Sequence, residues 1–248
     1  MIDKSYLKEY QPKNPDVKVW HYMRIDKLIC LLRNKALPLT WGPFFDDKDE
    51  GGMSKREQQT ILQIHSQVKI PTPYKMMAST SVISQSYALC WHMDEIESDQ
   101  MWVNKEIAIQ TTYRKLRDIA HENDFHMGVV KYVDIDESEI PSGVEKFLRK
   151  DESYSWEKEV RVFTFDSSSA FPLEKLLNIE NIENFIEGIF VNPGSVEEQY
   201  CLVKYLLATS PHTHNGIVRE RLIYRPRKVQ EFSKDAVQHK TQHVVVLE

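Results

Sequence analysis

The chain has 248 residues, 41% hydrophobic and 28% charged, with a formal net charge of −5. That is globular composition, enough for one large domain or two small ones with a core, and nothing in the mildly acidic balance suggests a nucleic-acid coat. Its 8 glycines, at 42, 51, 52, 128, 143, 188, 194 and 216, match neither G-x-G-x-x-G nor G-x-x-x-x-G-K-[ST]; a Rossmann loop, a P-loop and a kinase glycine loop are therefore not expected. In chain order, residues 17–23 read as a strand rich in aromatics at its end. Ile25, Leu28, Ile29 and Leu32 recur at helical spacing, which predicts a helix over 24–35. A short strand follows at 36–41, then a polar helix at 54–68, stopped by Pro71 and Pro73. Residues 76–83, 87–91 and 106–111 are strand-like, the last with Ile107 and Ile109 on one face. A helix is predicted over 113–123, a β-branched strand over 126–133 and a short helix over 141–150. Strands at 156–165 and 185–191 follow.

Asn192-Pro193-Gly194-Ser195 is a turn into a helix, with Ser195 and Glu198 spaced as a capping box. Val196, Tyr200, Val203 and Leu207 form that helix's apolar stripe. Strands at 216–225 and 243–247 close the chain. Strands and helices mix without a βαβ rhythm. The expected fold class is α+β: one domain over 1–248, with a mixed, largely antiparallel or split sheet and flanking helices.

No apolar run approaches the roughly 18 residues of a membrane span. Residues 1–15 are polar and lack a signal-peptide core. Cys30, Cys90 and Cys201 are odd in number and widely spaced, which fits reduced thiols in a cytoplasmic protein. Cys90 sits in an apolar run and reads as a buried thiol. There is no H-E-x-x-H; Cys90 and His92 are two apart as on a strand, His212 and His214 lie in a loop after Pro211, and His239 and His243 are four apart in a β-forming tail, so no metal is expected. Charge is unevenly spread: residues 46–50, 94–99 and 134–139 are acidic, whereas 219–228 hold five basic residues and one acid.

The strongest chemical lead is Trp156-Glu157-Lys158-Glu159-Val160-Arg161-Val162-Phe163. Period-two geometry puts Glu157, Glu159 and Arg161 on one face. That face is either a solvated Glu–Arg ladder or a polar cleft in which a carboxylate acts and Arg161 orients the substrate. Asp46, Asp47, Asp49 and Glu50 follow Phe44-Phe45, as an acidic turn or a loop positioning a base or cation.

The motifs occur in a recognisable order. They are Val19-Trp20-His21-Tyr22, then Phe45-Asp46-Asp47-Lys48-Asp49-Glu50, Ala88-Leu89-Cys90-Trp91-His92, Met101-Trp102, Val130-Lys131-Tyr132, Phe147 with Lys150, and Glu157-Lys158-Glu159-Val160-Arg161. Over residues 17–191 this resembles the bacterial and phage-associated domain-of-unknown-function family 2971. Its pattern is an F-N-D-P-x-E loop, a C-F-S strand, an M-W-x-x-Y segment and an E-x-E-x-R strand. Asp46 and Lys48 stand where the family has Asn and Pro, Trp91-His92 replace Phe-Ser, and no Tyr follows Met101-Trp102.

More distantly, the order is similar to that of mono-ADP-ribosyltransferases, which hold NAD without a glycine-rich loop. That resemblance implies NAD as the substrate cofactor and an ADP-ribosyltransferase-like fold. Glu159 would stabilise the charge developing at the ribose, and Glu157 would position or deprotonate the acceptor. Arg161 completes the catalytic set. Arg24 or His21 would hold the cofactor and Tyr22 would stack on nicotinamide. Ser79-Thr80-Ser81 match the central S-T-S strand, and Trp102 joins the cofactor-binding set. The implied activity is transfer of ADP-ribose to a macromolecular acceptor, nucleic acid or protein, in a toxin or phage-defence setting. Two rival readings stand beside it. One is a non-catalytic binding module using the basic segment 219–228. The other is a metal-dependent nuclease or hydrolase using Asp47, Glu50, Glu157 and Glu159.

Overall fold

The computed structural model describes residues 5–45, 59, 63, 85–134, 143–166, 174–195, 197–209 and 223–224. The acidic stretch 46–50, the strand predicted at 76–83 with Ser79, Thr80 and Ser81, and the tail at 243–247 lie outside them. So do the helix predicted at 54–68, save Gln59 and Gln63, and the basic segment 219–228, save Ile223 and Tyr224.

Lys18–Met23 is β1 and Ile25–Asn34 is α1, which buries Leu28, Leu31 and Leu32. Arg24 precedes α1 with extended backbone and gives it no side-chain cap. Glu106 supplies one from a distance: Ile25 N donates to its Oε2 at 2.9 Å. Lys35 ends α1 in the left-handed region, φ 52°, and its N–H returns to Leu31 O.

Ala36–Pro38 and Thr40–Trp41 are β2 and β3. Ser86–Met93 is β4, Ile107–Thr112 is β5 and Tyr113–Glu122 is α2. The strand predicted at 126–133 is broken into β6, His126–Val129, and β7, Lys131–Val133. Val130, between them, donates its N–H to Glu159 O at 2.8 Å. Instead of a short α-helix at 141–150 there is a 3-10 turn, Gly143–Leu148, followed by β8, Arg149–Asp151.

The strand predicted from Trp156 begins only at Glu159: β9 is Glu159–Phe165. The residues before it form a 3-10 turn, Glu152–Glu157. Asp151 starts that turn by accepting from Ser153 N at 3.0 Å, and Lys158 closes it at φ 41°. Leu176–Asn178 is β10, Ile182–Phe185 is α3 and Gly188–Val191 is β11. Glu197–Thr209 is α4, burying the predicted Tyr200, Val203 and Leu207, and Ile223–Tyr224 is β12. The architecture is α+β with mostly antiparallel strand pairing, as expected. Among the described residues no helix is long and apolar enough to cross a membrane.

The chain forms two compact units. The first comprises Met1–Pro15, Pro38–Trp91 and Ala120–Leu177. Within it β4, β9 and β6 adjoin in that order, and β3 pairs with β4 through Thr40↔Ala88 and Trp41↔Tyr87. β6 and β9 run antiparallel from His126↔Phe163 to Val129↔Val160, while β7 and β8 are parallel. Its core gathers Tyr10, Ala88, Phe147, Leu148 and Phe163.

The second unit comprises Asp16–Leu37, His92–Ile119 and Asn178–Glu248. Its strand order is β12, β11, β5, β1, with the last two residues of β4 against β1. β1 and β5 are antiparallel over six residue pairs, Lys18↔Thr112 to Met23↔Ile107. β5 is buried on both faces: Ile107, Ala108 and Ile109 are all wholly covered. Ile107 and Ile109 share one face, and the burial of Ala108 on the other makes β5 a central strand, with β1 and β11 on its two edges.

Candidate functional site

Three predicted residues meet in the first unit, though not as a regular strand face. β9 alternates, sending Glu159, Arg161 and Phe163 to one side and Val160 and Val162 to the other. Arg161 is wholly buried and Glu159 is 4% exposed, so the solvated-ladder alternative does not describe this face. Arg161 donates from Nε to Glu159 Oε1 and from Nη2 to Glu159 Oε2, both at 2.7 Å. Its Nη1 donates to Phe147 O at 2.8 Å. The fork geometry of guanidinium on carboxylate makes such a pair strong and specific.

Glu157 lies in the turn before β9 and reaches the same cluster through Lys150. Lys150 Nζ donates to Glu157 Oε2 at 2.7 Å and stands 3.8 Å from Glu159 Oε2. The ammonium also lies over the Tyr154 ring, 4.7 Å from its centroid. Opposite Lys150 in register on β7 stands Tyr132, whose hydroxyl oxygen accepts Glu159 N–H at 2.8 Å. The Cys90 thiol hydrogen-bonds to the Glu159 carboxylate. Cys90, expected in a buried setting, is exposed, whereas its neighbours Leu89 and Trp91 are buried. Strand alternation turns Cys90 to the charged side of β4 and its neighbours to the other. Tyr154 and Trp156 are exposed on the turn that carries Glu157.

Burial pushes Glu159 towards its neutral form, but the Arg161 charge and hydrogen bonds, with Lys150 and Cys90, outweigh it and hold its pKa down. For Glu157 the balance reverses. Burial raises its pKa, and the bond and charge of Lys150 offset this only in part. Two carboxylates two residues apart are thus pushed in opposite directions, a pattern that active sites and structural ion-pair networks both produce.

The remaining predicted residues that are described lie in the second unit. β1 alternation places Trp20 and Tyr22 on one face and His21 on the other. Tyr22 is 5% exposed, meets Trp102 edge-on at 4.8 Å and lies against Trp20, with centroids 6.3 Å apart. Its hydroxyl accepts from Ser98 N at 2.9 Å. Trp102 is buried in the same aromatic cluster and donates from Nε1 to Glu97 at 3.2 Å. His21 is half-buried. Arg24 is exposed, and its Nε lies 3.3 Å from Asp26 Oδ1. The helix that Arg24 leads into already has its first N–H occupied by Glu106. The structure therefore brings Glu157, Glu159 and Arg161 together, and separately Tyr22 and Trp102.

Lys150 and Tyr132 complete the first cluster, and the sequence motifs alone give neither of them a role in a site. Both stood in the motif order, but their role depends on the β7–β8 pairing, which no local pattern announces. Among the described residues no group of three or more His, Cys, Asp or Glu side chains is placed to hold a metal ion. No protein-family model, no curated protein and no solved structure matches this chain.

Proposed function

We propose that the Glu157–Lys150–Glu159–Arg161 cluster is the working centre of an ADP-ribosyltransferase-like enzyme. Its substrate is NAD and its acceptor a nucleic acid or protein. The observation that carries this reading is the pairing of unlike carboxylates. Glu159 is buried and held charged by Arg161, while Glu157 is half-buried with a raised pKa beside Lys150.

In the reaction, the bond between ribose C1′ and the nicotinamide nitrogen breaks with oxocarbenium character. Nicotinamide leaves neutral, an acceptor oxygen or nitrogen bonds to C1′, and the acceptor's proton passes to a base. Glu157 suits that base, because its raised pKa brings its proton affinity closer to neutral pH. Glu159 and Arg161 set the shape and field around it, a positioning role that differs from the direct charge stabilisation implied for Glu159 by resemblance. His21, Tyr22, Arg24, Trp102 and Ser79-Thr80-Ser81 enter this reading through the resemblance alone.

The test compares wild type with Glu157→Gln, using labelled NAD and a cell extract. Wild type is expected to transfer label and release nicotinamide, and the variant to lose on the order of 100-fold. Absence of transfer, of nicotinamide release and of an NAD-induced thermal shift in wild type would sink the reading. Glu159→Gln is the poorer test, because it leaves Arg161 buried against a neutral partner.

One observation favours a non-catalytic binding module of the same fold. Both Glu159 oxygens are occupied by Arg161, whose third donor takes Phe147 O. A pair so fully satisfied also serves to specify a fold. On that reading Glu157→Gln leaves every function of the protein intact.

A further inference from the structure

Tyr132 differs from the other polar side chains of the cluster in how its valences are used. Its oxygen is pinned by the main-chain N–H of Glu159 at 2.8 Å. A phenol also carries a proton to donate, and among the described residues no acceptor takes it. The side chain is half-buried. Register on β7 and β8 sets it opposite Lys150, which holds Glu157. An unengaged donor, fixed in place by the backbone of a strand and standing beside a carboxylate, is a preorganised contact for a hydroxyl group. The exposed Tyr154, whose ring lies 4.7 Å from Lys150 Nζ, offers flat apolar surface beside that lysine, and Trp156 is exposed on the same turn. Together these groups have the chemistry that recognises a furanose: one donor, one carboxylate acceptor and an aromatic wall.

We propose that Tyr132 is a substrate-contact residue of this centre, donating its phenolic proton to a pentose hydroxyl of the nucleotide substrate. This rests on the ADP-ribosyltransferase reading and assigns to it a residue that the motif resemblance leaves without a role. Tyr22 shares the same hydroxyl arrangement, accepting a main-chain N–H, but its ring is enclosed among Trp20, Trp102 and Phe190.

The probe is ADP-ribose, titrated calorimetrically into wild type, Tyr132→Phe and a protein carrying 3-fluorotyrosine at 132. The fluorinated phenol keeps the oxygen that Glu159 N–H needs and is a stronger donor. Wild type is expected to bind, Tyr132→Phe to bind roughly five- to tenfold more weakly, and the fluorotyrosine protein about twofold more tightly. Equal binding by wild type and Tyr132→Phe overturns the role of Tyr132 and leaves the enzyme reading standing. No binding by folded wild type overturns both. If the phenylalanine variant unfolds, the fluorotyrosine protein decides alone: tighter binding supports the contact, and unchanged affinity overturns it.

Discussion

Arg161 is the residue on which the first unit's polar interior turns. A guanidinium with no solvent exposure is tolerated only because three of its donors are engaged, two of them by one carboxylate. Glu159→Gln or Arg161→Met each strands a buried charge or its partner. Each is expected to cost about 3–5 kcal/mol, read as a lower urea midpoint at neutral pH. The double variant Glu159→Leu/Arg161→Met removes both charges together, and its loss is expected to fall well short of the summed single losses. Additive losses would show that the two side chains do not act as a pair. The sequence carried this pair as neighbours on one face of an alternating strand, two positions apart. It did not carry the burial, because the covering groups come from elsewhere: Phe147 from the Gly143–Leu148 turn, Lys150 from β8, Tyr132 from β7. Each is placed by pairings between distant segments, and hydrophobic period alone does not encode those.

Glycine scarcity shows itself at the level of the elements. Helix and turn ends that call for a left-handed residue are filled here by Lys35, Asn104, Asp124 and Lys158, all at positive φ. A side chain in that region costs about 1–2 kcal/mol relative to right-handed backbone. Lys35 closes α1 in this way with its N–H on Leu31 O, so Lys35→Gly keeps the cap and removes the steric cost. After the extra chain entropy of glycine, a net gain of about 0.5–1 kcal/mol is expected by thermal or urea unfolding. A loss of stability would mean that the lysine side chain contributes more than its backbone costs.

One glycine is needed for space. A Cβ on Gly128 would lie 2.7 Å from Leu148 Cδ1 and 3.1 Å from Tyr10 Cβ. Gly128 is the register partner of Arg161, so crowding there presses on the buried pair's own neighbourhood. Gly128→Ala is expected to cost about 1–3 kcal/mol, measured by urea unfolding, and a neutral result would mean that Leu148 swings clear.

The elements themselves were largely legible: β1, α1, β5, α2 and α4 follow their apolar spacings. The turn over Glu152–Glu157 was not. The alternation of Glu157 to Phe163 extends backwards as if one strand ran from Trp156, and it masks the local signal of Asp151 and Ser153.

For the whole molecule, Glu187 in one unit and Glu157 in the other are displaced in opposite senses, and these two groups give the chain a two-signed response to pH. In the second unit Glu187 is paired with Lys18 and with Lys115, the latter at 2.9 Å. Burial alone would raise its pKa, but the bonds and charges of the two lysines outweigh it and hold the pKa down. A lowered native pKa adds stability above the unfolded value, near 4.3 for glutamate, and that stability is lost as pH falls through the native pKa. In the first unit the native pKa of Glu157 is raised. Its contribution is present below the unfolded value and is lost as pH rises through the native one.

The two neutral variants should therefore diverge when urea midpoints are measured between about pH 4 and 7. Glu187→Gln is expected to lose ground against wild type as pH rises, by about 0.2–1 kcal/mol, since this partly exposed pair is screened by solvent. Glu157→Gln is expected to gain ground over the same range. Parallel curves for the two variants would show that the two native pKa values are displaced in the same sense. Opposite slopes would establish, independently of any substrate, that Glu157 is held in the folded chain with the raised proton affinity that a general base requires.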